Sequence, residues 1–280
     1  MIKSILACID GSSHGDVAGQ YAICMADHLR ARLVGLHVLD SRMLEGPLLA
    51  DLAGGIGAQP YAAQTQQFRA LMEQKGRAIA DAFESRCREA GLQAETLIRI
   101  GHPPRIILEE EVRAELVVLG QKGEHAEWIG DMTGSTLERV ARHSVKPCLV
   151  TPKKFSPVHR ILAAYDGSAH ASQALREAAE LAAAMKIELV VLTAGDGNHE
   201  DEAERISRDA MALVKAHECD ARPLVVKGRP ASVILDAVRD EACDLIVVGA
   251  YGHSRIREMI LGSVTTQVMS RAQVPVIMVR

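Results

Sequence analysis

At 280 residues with 48% apolar side chains, the chain is long enough for one large domain or two ordinary ones, each with its own core. A net charge of -4 and a pI near 6.3 give no broad basic field, which argues against a dedicated nucleic-acid binder and leaves only a local patch open. No apolar run approaches a membrane span and the N-terminus reaches Asp10 too soon for a signal-peptide core, so the expectation is a cytoplasmic protein without membrane binding.

Taken in order, apolar runs of four to six residues alternate with helical patterns, which predicts βαβ units and a parallel sheet. Strands are expected near 2–9, 33–39, 95–100, 116–120 and 147–151, then near 160–165, 187–193, 222–227, 244–248 and 275–279. Asp10 and Asp166 each begin an Asp-Gly-Ser turn whose serine can cap the following helix, although the same three residues are also ordinary turn chemistry. Pro103 and Pro230 open third helices, where a missing N–H costs nothing, and Pro147 and Pro275 lead into the last strands. Ser41 to Gln64 forms a long segment with no counterpart in the second half. It reads equally as a lid or partner-contact loop and as a passive insertion.

The chain repeats itself. Ile5 to Ser12 returns as Ile161 to Ser168, 156 positions on. Gly101-His102-Pro103 returns as Gly228-Arg229-Pro230, Leu116 to Gly120 as Leu245 to Gly249, and Gly134-Ser135 as Gly262-Ser263, at offsets of 127, 129 and 128. A near-constant offset over three landmarks implies two homologous domains. The polar stretch 152–158, bracketed by Pro152 and Pro157, reads as an exposed linker, which divides the chain into domains 1–152 and 158–280. Strand order 2-1-3-4-5 or 3-2-1-4-5 in each would set the ends of strands one and four side by side, at the switch point where open α/β sheets bind ligands.

The most informative stretch follows the fourth strand of the second copy. A buried, β-branched run, Leu245 to Val248, leads into Gly249 and Gly252, and nine residues later come Gly262, Ser263 and Thr265. Glycine permits positive φ and close approach of a ligand to bare N–H groups, and a helix start presents unpaired donors to an anion. Gly-x-x-Gly alone occurs in many loops. Joined to the buried strand and the later Gly-Ser it is far more specific, and it is not a Walker loop, since no Gly-x-x-x-x-Gly-Lys-Ser/Thr occurs. In the first copy, Gly120 and Gly123 are followed by ten residues before Gly134, Ser135 and Thr136, and the interval carries Glu124, Glu127 and Asp131 with no lysine or arginine. Acids beside a triphosphate repel it, Lys122 offsets them only in part, and the second copy ranks above the first. Trp128, in the same interval, is suited to packing against a partner or plugging the site.

With both halves matched, the whole chain resembles a tandem universal stress protein, two copies of that domain in one polypeptide. The resemblance implies an α/β fold of two Rossmann-like domains, akin to flavodoxin and to the adenine nucleotide alpha hydrolases, each a five-stranded parallel sheet with helices on both faces. It implies binding of ATP, or of AMP or ADP, in some members with a divalent ion such as Mg. On its motif, Asp166 and Ala164 meet the adenine and ribose end, and Ala194, after strand two, lines the base through its backbone. Gly249, Gly252, Gly262, Ser263, Val264 and Thr265 match the phosphate-binding signature, with backbone and hydroxyl donors, while His253, Arg255 and Arg257 either add charge or face water. The weaker N-terminal set is Cys8, Asp10, Val38, Gly120, Gly123, Gly134, Ser135 and Thr136.

Other chemistries find no motif. Cys8, Cys24, Cys87, Cys148, Cys219 and Cys243 lack Cys-x-x-Cys spacing and read as reduced, mostly buried thiols, and no His-Glu-x-x-His, triad or paired-carboxylate pattern is present. Three readings follow: a stress-response nucleotide sensor acting on an unidentified protein partner, a slow ATPase or adenylate-handling enzyme using the same crevice, or a scaffold in which nucleotide is incidental. The two domains are expected to pair within the chain through last strands or nearby helices, with a homodimer left open.

Overall fold

The computed structural model describes residues 2–42, 61–123, 134–195, 200–250 and 261–280. β1 (Ser4–Cys8) leads through α1 (Ser13–Leu29) to β2 (Arg32–Asp40), and then come α2 (Tyr61–Glu89), β3 (Ala94–Gly101), α3 (Pro103–Glu110), β4 (Leu116–Gly120), α4 (Ser135–His143) and β5 (Cys148–Thr151). The second half runs β6 (Arg160–Ala164), α5 (Ala169–Met185), β7 (Glu188–Gly195), α6 (Glu200–Val214), β8 (Ala221–Lys227), α7 (Pro230–Asp240), β9 (Leu245–Gly249), α8 (Ser263–Arg271) and β10 (Val276–Val279). Of the long segment 41–64, the last four residues belong to α2, and 43–60 lie outside the described residues.

The apolar runs are strands because both faces of the sheet are covered. Ile5 and Ala7 face one core cluster with α1, α2, α5 and α6, while Leu6 between them faces another with α3, α4, α7 and α8. Leu116 and Val118 against Val117 and Leu119 divide in the same way. The two-residue period of a strand thus persists inside an unbroken apolar run, one layer of helices to each face.

Strand order is β3-β2-β1-β4-β5-β10-β9-β6-β7-β8, so each half takes the second of the two expected arrangements. The halves do not keep separate sheets, however. β5 and β10 pair antiparallel, with Leu149 opposite Ile277 and Val150 opposite Val276, and one ten-stranded sheet results. All four residues of each strand are buried. Unpaired, each would present a row of open N–H and C=O groups on an apolar edge, and joining them removes both edges. Because that pairing is antiparallel, the carboxyl ends of the strands point to opposite rims of the sheet in the two halves.

The linker is tied down rather than loose. The ring of Phe155 lies 4.7 Å from that of Tyr21 on α1, and the Tyr21 hydroxyl accepts the Ser156 N–H at 3.1 Å.

Candidate functional site

β6 and β9 are parallel neighbours, with Ile161 beside Leu245 and Ala163 beside Val247. The chain leaves β6 toward β7 on one side and leaves β9 toward β10 on the other, so a crevice opens past their carboxyl ends. Asp166 closes the turn there. Its Oδ1 accepts the Ser168 N–H at 2.9 Å, Gly167 takes a φ of +81°, and Ser168 Oγ accepts the Ala171 N–H at 3.1 Å to cap α5. The N-terminal half repeats this turn at Asp10, whose Oδ1 accepts both the N–H and the hydroxyl of Ser12, at 2.9 and 2.6 Å.

The helix that follows the fourth strand starts differently. α8 has Gly262 at its N-cap with φ -57° and no side-chain cap, and α4 begins on Gly134 in the same way. The first N–H groups of a helix have no partner within it, and where no side chain caps them they stay available to a ligand. In the C-terminal half those donors open into a cavity of about 310 Å³. Ala164, Leu192, Ala194, Val248, Pro230, Ile234 and Val264 form its apolar walls, and Tyr165, Asp166, Ser168, Gly262, Ser263 and Thr265 supply polar ones.

Eight positions singled out from the sequence therefore meet around one cavity: Ala164, Asp166, Ala194, Gly249, Gly262, Ser263, Val264 and Thr265. Gly252, His253, Arg255 and Arg257 lie outside the described residues, as do Glu124, Glu127, Trp128 and Asp131. Three expectations need correction in detail. Gly249 does not take positive φ; a Cβ there would lie 2.9 Å from the His170 carbonyl carbon and 3.0 Å from the Ala171 nitrogen, so it is bare to admit the first turn of α5. The Thr265 hydroxyl donates to the Gly249 carbonyl at 2.8 Å, which ties α8 to β9 and leaves Ser263 as the exposed hydroxyl. Ala194 sits inside β7 rather than after it, because pairing with β8 continues through Gly195.

Sequence reasoning did not assign Leu192, Pro230, Ile234 and Val248 to the site. All four are apolar residues on regular elements, indistinguishable in sequence from core. Only the alternation of Leu192 with Ala194 along one strand face, once Ala194 is placed, could have found one of them.

The N-terminal counterpart is built from the same parts, of which residues 124–133 lie outside the described ones. Cys8 ends β1 where Ala164 ends β6, and burial pushes its thiol well above the ordinary range. Val38 stands in β2 at the place of Ala194. A Cβ on Gly123 would lie 3.0 Å from Asp10 Oδ2, and one on Gly134 3.5 Å from the Gln121 carbonyl and from the Lys122 Cα. The loop 121–123 thus rests on Asp10 and on the start of α4, where Ser135 is exposed and Thr136 half-buried. Gly120 meets His14, whose ring is buried with Nδ1 lacking a partner among the described residues. Burial, with Lys122 next, holds the His14 pKa below its usual value. The thiols elsewhere are protonated for the same reason: burial raises Cys87 and Cys243 to about 11 and Cys148 to about 12.

Comparison with known proteins bears on the family and the fold. The profile of the Universal stress protein family matches residues 1–152 and again 157–280. A universal stress protein of Synechocystis, Slr1230, is 29% identical over 290 residues, with 100% of both chains covered. A shorter universal stress protein from Thermus aquaticus is 37% identical over 135 residues, 43% of this chain and 97% of its own length. Among solved structures, a universal stress protein from Archaeoglobus fulgidus superposes with a TM-score of 0.74 at 21% identity, covering 99% of this chain and 96% of its own, which establishes likeness of fold.

Proposed function

The chain belongs to the universal stress protein family, and from that premise we propose that its C-terminal half binds an adenine nucleotide, ATP or its di- or monophosphate, and acts as a stress-response sensor rather than as a catalyst. The observation that carries this reading is the uncapped start of α8 opening into the 310 Å³ cavity. Bare first-turn donors and the positive end of the helix dipole favour phosphate oxygens. Ala164, Leu192, Ala194 and Val248 offer a dry slot for a flat base, and the Asp166 carboxylate at the rim suits ribose hydroxyls as an acceptor. Among the described residues no group of three or more His, Cys, Asp and Glu is gathered for a metal, so a magnesium ion would arrive with the phosphates.

Binding without turnover fits the lining. Its ionisable side chains among the described residues are Asp166 and Tyr165, and the Tyr165 hydroxyl lies 3.3 Å from Ser172 Oγ. No described lysine, histidine or cysteine lines the cavity as base or nucleophile. Nucleotide occupancy would then change the surface offered to a protein partner.

The test is direct. Nucleotide should be recovered from the purified protein, and titration should give affinity tighter than about millimolar, as the number of donors implies. Gly262 lines the cavity at a φ that any residue tolerates, so in Gly262→Val ATP affinity should fall at least about tenfold while the chain still melts cooperatively. Phosphate release reaching about 1 per second would instead mark an enzyme.

A further inference from the structure

Gln121 follows β4 in the N-terminal half, yet its side chain bonds a helix of the C-terminal half. Its Nε2 donates to the Met269 carbonyl at 2.8 Å and to the Ala272 carbonyl at 3.1 Å. Both acceptors are carbonyl oxygens, so the amide must present its NH₂, and the two hydrogens are both used. These carbonyls end α8, the helix whose first turn lines the cavity. α8 has no left-handed cap of its own; Ala272 lies at φ -62°, ψ 136°. Beside the local bond from the Ala272 N–H to the Val268 carbonyl, two of its terminal carbonyls take their donor from the opposite half.

The antiparallel seam makes this possible. α8 starts at the carboxyl rim of its own half and runs across the sheet to the rim where the N-terminal loop 120–123 stands. The main chain of Gln121 is fixed at the same time, its N–H donating to the Thr151 carbonyl and its carbonyl accepting the Gly134 N–H, both at 3.0 Å. The amide is therefore held by the end of β5 and the start of α4. Its counterpart Ala250 repeats both main-chain bonds, to Val279 at 2.6 Å and from Gly262 at 3.0 Å, but has no side chain to send across. The return contact comes from elsewhere: Arg280 Nη1 donates to the Ser144 carbonyl at the end of α4, at 3.2 Å.

We infer that Gln121 is a positioning residue for the C-terminal site, so that the N-terminal loop clamps the phosphate-binding helix from its far end. The inference rests on the reading of that cavity as a nucleotide site and adds a positioning task for the N-terminal half. A clamp on α8 acts on phosphates and not on the base slot, which β6, β7 and β9 build without it.

Calorimetric titration of the full chain with ATP and with adenosine separates the possibilities. In Gln121→Ala the ATP affinity should fall on the order of fivefold, the worth of two part-buried carbonyl bonds, with adenosine affinity unchanged. Gln121→Glu keeps the size but sets a carboxylate against two carbonyls, and should lower ATP affinity further with adenosine again unchanged. Equal loss for both ligands, or no loss for either, overturns the clamp. If the wild-type chain binds neither ligand, the site reading falls, and the clamp is judged by hydrogen exchange: residues 263–272 should exchange faster in Gln121→Ala, and unchanged exchange overturns it.

Discussion

His14 and Gln121 are single residues of the N-terminal half whose effects extend beyond their own turns. His14 is buried under Gly120 with Nδ1 unbonded by any described residue, among Asp10, Lys122 and Lys153. Its pKa is lowered from the ordinary 6.5, burial first and Lys122 next, so the folded chain prefers the neutral ring. The unfolded chain then binds more protons below about 6.5, and stability falls as pH drops through that value toward the lower folded one. Urea midpoints taken from pH 7.5 to 5.5 should decline in the wild type, and His14→Gln should flatten the decline. An identical slope in both would place the titrating group elsewhere. Glu188 has the carboxylate version of this behaviour at lower pH. Held down by its bonds to Arg222 and then Arg160, it contributes above the ordinary carboxylate range and loses that contribution only as pH falls through its depressed value.

At the scale of elements, close backbone approach decides more than propensity. Gly249 ends β9 where the first turn of α5 crosses it, and a methyl there would meet main-chain atoms at 2.9 and 3.0 Å. Gly249→Ala should therefore cost about 1–3 kcal/mol of stability, read as a lower urea midpoint at unchanged slope, because backbone cannot turn aside as a side chain can. The strands, the two serine caps and the proline-led helices were legible in the sequence, since each depends on neighbours within a few positions. Eight residues of the cavity were legible too: the repeat and the switch point set the ends of strands one and four side by side, and the family resemblance supplied Ala164, Ala194 and Val264. Leu192 and Ile234 were not, as nothing in an apolar periodicity separates a wall from a core. Neither was the bond from Gln121 to Met269, which spans 148 positions and exists only once β5 has found β10.

For the whole molecule the seam is decisive. β5 and β10 are short, four residues each, and wholly buried against one another and the helices. A separately expressed 157–280 would expose the apolar edge of β10, and it should be recovered as a dimer or aggregate by sedimentation rather than as a monomer. Adding the separately expressed 1–152 should convert it to a one-to-one complex. A stable, monodisperse monomer of either piece would show that the pairing is dispensable.

The antiparallel join also determines what another protein can touch. The mouth of the C-terminal cavity and the loop of Gln121 look out from opposite poles, so a flat surface docked on one leaves the other uncovered. The chain thus has two separate faces to offer, one at each pole, joined by a nine-residue helix laid across the sheet.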